Sequence, residues 1–354
     1  MLAIAVIGLA GVAWWQSGGA GPGLRGARGD LAPPLPGALG AWREVGRIPA
    51  DLLRSDGPVV ALEIVEDDIL VLQHNHWYRL AASGLVGPFG DATRGSPDWI
   101  ERAVDFAWHD GHVYVIDGGR NHVSVWTDAG IRQREISLEL DDAITFEPEQ
   151  LEIDEMGRLY IVAHVATIHS PGDWLVLRVT DDTSPPDTLW REPGGEGVST
   201  GANTPRLSVR DSGEILIATA LDFELRRLDP DGRISSTAVR PDPPVFPVPD
   251  SVRRQHEEIL ALLPPSMHDA YTMPEHVPPV RGVSLRADGS VIARVARTFE
   301  TSYIEWLGAD GTPLGRLSAD PMFEPIHVGN DVIHRVREEV GGVVIEAAPV
   351  ALPE

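Results

Sequence analysis

One phrase recurs five times in this chain, at residues 61–72, 104–115, 151–161, 207–217 and 283–293: an apolar run, a tight polar turn and a second apolar run. The turns Asp110-Gly111, Met156-Gly157, Ser212-Gly213 and Asp288-Gly289 supply the residue with φ > 0 that a short connection between strands needs, so the phrase reads as a β-hairpin. Hairpins repeated at this interval cannot bury their faces alone and must stack on their neighbours. The chain is committed to an all-β repeat architecture.

The spacing says which one. Asp68 to Gly111 is 43 residues, Gly111 to Gly157 is 46, Gly157 to Gly213 is 56 and Gly213 to Gly289 is 76. The first two intervals match the roughly 40–50 residues of a four-stranded propeller blade. A second turn recurs inside the unit: Gly130, Gly232 and Gly311 follow Gly111, Gly213 and Gly289 by 19, 19 and 22 residues. Each unit is thus two hairpins in series. A sixth unit at 326–352 offers three strands, and the alternating segment 42–48 has no hairpin partner beside it. That segment supplies the missing strand, joining the two ends of the domain and covering an open edge. The expectation is a six-bladed β-propeller of four-stranded antiparallel blades over 41–354, with an N-terminal strand closing the last blade.

The long fourth interval holds an insertion at 241–280, between blades four and five. Five prolines in 241–249 precede a helical pattern at about 250–263, with Asp250 or Ser251 as N-cap and Pro264-Pro265 as stop. Residues 17–40 are rich in Gly and Pro and too poor in apolar side chains to fold, which makes them a linker.

Residues 1–16 open with an uncharged apolar run ending at Trp14-Trp15. The run is short of the roughly 20 residues of a membrane span and suits the apolar region of a secretory signal. The tryptophans suit a membrane interface and a retained anchor. Either reading places the protein outside the cytoplasm, in the periplasm or at the cell surface, with a membrane tether in the second case. The net charge is −24 and all 29 basic residues are arginine, so phosphate backbones are repelled and nucleic acid is not an expected partner. With no cysteine, thiol catalysis, disulfides and thiolate metal sites are excluded.

The inner turns of Asp-x-x-Gly or Asp-Gly type and outer turns of Asp-x-Gly type resemble those of six-bladed propellers of the NHL and TolB-like group. The proline-bounded helical insertion, Met273-Pro274 leading into Asp288-Gly289, and the terminal pair around Gly329-Asn330-Asp331 are similar to exported bacterial six-bladed propellers of unassigned function. That resemblance implies fold and export but no reaction. The chain departs from lipid-anchored members in having no cysteine to acylate.

Inner strands line a propeller's channel, so residues seven or eight before each inner-turn glycine should meet near one mouth. Counting selects Glu149, Gln150, Arg206 and Arg281, with Ala103 in blade two and Glu324 from blade six. Arginine offers a two-pronged donor to carboxylate or phosphate, so this set reads as a ligand grip; the competing reading is inter-blade ion pairing. Glu63 and Asp105 are the residues open to a hard cation, but the arginines work against one, and neither a metal nor a cofactor is expected. His74-Asn75-His76, with alternating spacing, lacks the third ligand zinc needs. Gly197-Val198-Ser199-Thr200-Gly201 lacks the strand-turn-helix context of an esterase elbow. Asp229-Pro230-Asp231-Gly232 reads as a plain turn. No catalytic set emerges. The sequence supports a monomeric binding or scaffolding module for a small molecule or protein; the alternative is a hydrolase or lyase working in the channel on a small polar substrate.

Overall fold

The computed structural model describes residues 38–351 apart from 54–58, 92, 141–142, 168–169, 181–183, 194–203, 220–221, 244–245, 263–275, 278, 297–300, 317–321, 324–325, 330–331 and 340. Six antiparallel sheets follow one another along the chain. Blade one comprises Val59–Val65, Asp68–Gln73, His76–Ala81 and Gly84–Phe89, and blade two Ala103–His109, His112–Asp117, His122–Thr127 and Arg132–Ser137. Blade three runs through Ala143–Ile153, Leu159–Thr167, Ser170–Val179 and Asp187–Pro193, and blade four through Arg206–Val209, Ile215–Ala218, Glu224–Leu228 and Ile234–Val239. Blade five is Val280–Leu285, Val291–Ala296, Thr301–Leu307 and Pro313–Arg316.

Blade six takes Ile326–Val328, Val332–Glu339 and Gly342–Ala351 from the C-terminal end, and its fourth strand, Arg43–Pro49, from the N-terminal end. The closure read from the orphan strand is therefore present, with Ile48 opposite Val343. Ala38 and Leu39, which composition assigns to the linker, pair with Ala351 and Val350 and extend the same sheet. The insertion contributes a helix, Asp250–Leu262, and a short strand pair joining Phe246 to Val277 at its base.

Propeller blades stack face to face, so the apolar core is divided among the junctions. Each of the six junctions has its own cluster, with Trp77 and Trp126 between blades one and two, Leu151 and Leu159 between two and three, and Tyr160 and Ile217 between three and four. Val291 and Tyr303 fill the next, Ile292 and Ile333 the fifth, and Ile48 and Val71 the last. Burying one such side chain stabilises the fold by about 1.5–3 kcal/mol, so lateral packing holds the ring together.

Inner-turn lengths differ between blades. Blades one and two use two-residue turns, Glu66-Asp67 and Asp110-Gly111, with Glu66 at φ 54° and Asp110 at φ 46°. Blades three, four and five use five-residue turns between Ile153 and Leu159, Val209 and Ile215, and Leu285 and Val291. In each of the longer turns a glycine sits at positive φ, 74° at Gly157, 81° at Gly213 and 84° at Gly289.

Candidate functional site

An innermost strand is hydrogen-bonded on one side only, and its free edge faces the channel and the next blade. Backbone groups along such an edge need partners. Bonds across the junctions define two levels at which the preceding blade supplies them. Ala61, Asp105, Gln150, Arg206 and Gly282 occupy the level nearer the strand starts. Two residues further along, Glu63, Ala107, Glu152, Ser208 and Ser284 occupy the second.

At the first level Leu151 N–H donates to Asp105 Oδ2 at 2.9 Å. One blade on, Leu207 N–H donates to Gln150 Oε1 at 3.0 Å and Gln150 Nε2 donates back to Leu207 O at 2.7 Å. His327 of blade six bonds the backbone of Leu62 in blade one. At the second level the Trp108 backbone bonds the Glu63 carboxylate, and Leu285 N–H donates to Ser208 Oγ at 3.0 Å. Among the described residues, polar side chains thus lace five of the six junctions.

The sequence-selected residues divide on this frame. Gln150 is a lacing residue: its amide is engaged with Leu207, and Nε2 also donates to Glu152 Oε1 at 3.1 Å. Glu149 and Arg281 lie where the ladder slips by one residue, between Pro148 and Gln150 and between Val280 and Gly282. A bulge re-aims the extra side chain. Blades one and two slip at the same level, between Val59 and Ala61 and between Ala103 and Phe106. Arg206 and, after it, Arg102 act through space on the charge of Glu149. Arg281 is 9% exposed, and its carbonyl accepts from Arg294 Nη2 at 2.9 Å. Glu324 lies outside the described residues.

Counting back from the turn glycine selects Ala103 in blade two, whereas the lacing position is Asp105. The reason is the short Asp110-Gly111 turn, which shifts the strand relative to its glycine. Glu152, Arg294, Arg102, His327 and His334 were also missed. Glu152 could have been found from its alternation with Gln150. Arg294 belongs to the second strand of its blade, opposite Gly282, and its guanidinium occupies the space a Cβ on that glycine would need.

Burial governs the electrostatics. Glu152 is raised to about 8, first by burial and then by the Asp105 charge, against the Gln150 hydrogen bond. Burial raises Glu149 to about 7 although Arg206 and Arg102 oppose it, and Asp105 to about 6 although the Leu151 and Phe106 backbones, Arg206 and Arg294 oppose it. Glu63 is pushed well above its ordinary value by burial, with Glu152 and Asp105 adding to the effect. Burial and His334 lower His327 to about 4, their rings 6.0 Å apart. Deprotonating these carboxyls is costly without a cation nearby.

Further contacts fix the loops between the blades. Asp117, fully buried, accepts from the backbone N–H groups of Glu101, Arg102 and Gly119 at 2.9, 3.0 and 3.1 Å, anchoring the loop that carries Arg102. Arg240 makes a two-pronged bond to Glu305 at 2.6 and 2.8 Å and donates to the Pro241 carbonyl at 3.1 Å, tying the insertion to blade five. Among the described residues no group of three His, Asp or Glu side chains is placed to hold a metal ion, Glu63 and Asp105 included. His74 forms a turn with Asn75 at φ 51°, so it does not share a strand face with His76, whose Nδ1 lies 3.0 Å from Gly90 O. Gly197–Gly201 lies outside the described residues. Asp229 caps its own turn by accepting from Asp231 and Arg233 N–H at 3.0 and 2.9 Å.

The protein is a six-bladed β-propeller with a charged channel wall. No protein-family model and no curated protein sequence matches it. Among solved structures it is similar to a calcium-binding protein, regucalcin, from Agrobacterium tumefaciens strain C58, at 12% identity and TM-score 0.50, over 89% of this chain and 96% of that one. It is also similar to a streptogramin B lyase, at 13% identity and TM-score 0.47 over 88% and 98%, and to a chain of a nidogen/laminin complex, at 11% and 0.46 over 74% and 80%. The likeness is one of fold, and this fold carries unrelated functions.

Proposed function

We propose that the protein is an exported binding module that holds a small polar molecule at the channel mouth formed by Glu149, Arg206 and Arg281. The observation that carries this reading is the level at which four inner strands admit an extra residue, which in blades three and five is charged. Lacing explains Asp105, Gln150 and Ser208; it does not call for Glu149 or Arg281. Arginine beside a partly desolvated glutamate gives a site for a ligand with an anionic group. The apolar segment at residues 1–16 supports export, as signal or anchor; it lies outside the described residues. A second reading has one observation in its favour: Glu149, held at about 7 next to Arg206, suits proton transfer, as a hydrolase or lyase would require.

Mass spectrometry of small molecules retained by the purified full chain tests the module. Wild type should carry a compound that Arg206→Ala and Arg281→Ala lose. Equal retention by all three, or none by wild type, contradicts it. Turnover of that compound by wild type and not by Glu149→Gln would establish the enzymatic reading.

A further inference from the structure

Charge is not spread evenly along the channel. At the level nearer the mouth, Arg206 and Arg294 both act on Asp105, and Arg206 acts on Glu149. At the deeper level, the charges bearing most on Glu63 are Glu152 and Asp105, and the one bearing most on Glu152 is Asp105. Glu63 Oε2 is buried with no hydrogen-bond partner. A carboxylate oxygen in that position is completed by an N–H donor or by a proton.

We infer that the channel takes a small zwitterion, its protonated amine between Glu63 and Glu152 and its anionic group on Arg206 and Arg294. This rests on the reading of the channel as a ligand site. The levels are two residues apart along a strand, about 6–7 Å, which matches an amine and a carboxylate separated by four methylenes. Arg294 reaches the upper level because Gly282 leaves room for it.

The probe is 5-aminopentanoate, titrated calorimetrically into the full chain beside pentanoate, pentylamine and calcium chloride. The aminoacid should bind at least tenfold more tightly than pentanoate or pentylamine. Glu152→Gln should weaken it at least tenfold and leave pentanoate unchanged, and Glu63→Gln should act in the same direction; Arg206→Gln should weaken both 5-aminopentanoate and pentanoate. Equal binding of pentanoate and 5-aminopentanoate overturns the inference while the binding module stands. So does calcium binding that Glu152→Gln abolishes, or a retained native ligand without an amine. If no probe binds and the purified protein retains nothing, inference and module fail together.

Discussion

The inner strands of blades one to three and of blades four and five share backbone levels but differ in charge. Glu63, Asp105, Glu149 and Glu152 come from the first group and Arg206 and Arg281 from the second, with Arg294 added from the next strand of blade five. Gln150 and Arg206 stand at equivalent positions in consecutive blades, one holding the backbone of its neighbour and the other acting on Glu149 and Asp105. The comparison shows polar atoms engaged at five of the six junctions among the described residues, with a charge that changes from blade to blade. The charge pattern is therefore where binding can be specified.

Removing the cation tests the comparison most severely. Arg206→Ala leaves Asp105 and Glu149 without a shared neighbour, and unfolding in urea should show a loss of about 2–4 kcal/mol together with a further rise of the Glu149 pKa. A loss below about 0.5 kcal/mol, the size of an exposed pair, would mean that the two halves are not coupled. Gln150→Ala comes next. It deprives the Leu207 N–H and carbonyl of their partner and should cost about 1–3 kcal/mol by the same measurement.

The acid half should also show itself in pH dependence. Glu152 and Glu149 hold protons more tightly folded than unfolded, so the stability they contribute is complete below about pH 4.5 and is lost as pH rises through about 7 and 8. The thermal midpoint of the ligand-free protein should fall by about 5 °C or more between pH 5 and pH 9, with Glu152→Gln flattening the slope. A midpoint that rises over this range refutes the assignment of uncompensated carboxyls. The smallest effect is expected at Ser208→Ala, about 1 kcal/mol, from the single bond to Leu285.

The architecture was legible because turn glycines punctuate the chain. Gly111, Gly157, Gly213 and Gly289 gave the blades, and the unpartnered alternation around Trp42 gave the closing strand. Gln150 and Arg206 were legible as equivalent inner-strand positions because blades three to five share one turn length. Asp105 was placed out of register because its blade turns in two residues. Arg294 could not be read from inner-strand counting, since it enters from a second strand over a glycine. Nor could sequence distinguish Gln150 as lacing from Glu149 as the bulged residue, because a bulge is a property of pairing with the neighbouring strand.

Carboxyl titration by carbon NMR, with signals assigned by comparison with Glu152→Gln and Asp105→Asn, tests the division of the channel most directly. Glu152 should titrate at about 8 and Asp105, with its arginine neighbours, at about 6. Midpoints near 4 for both would show that neither level is short of positive charge, and the account of the channel wall would be wrong.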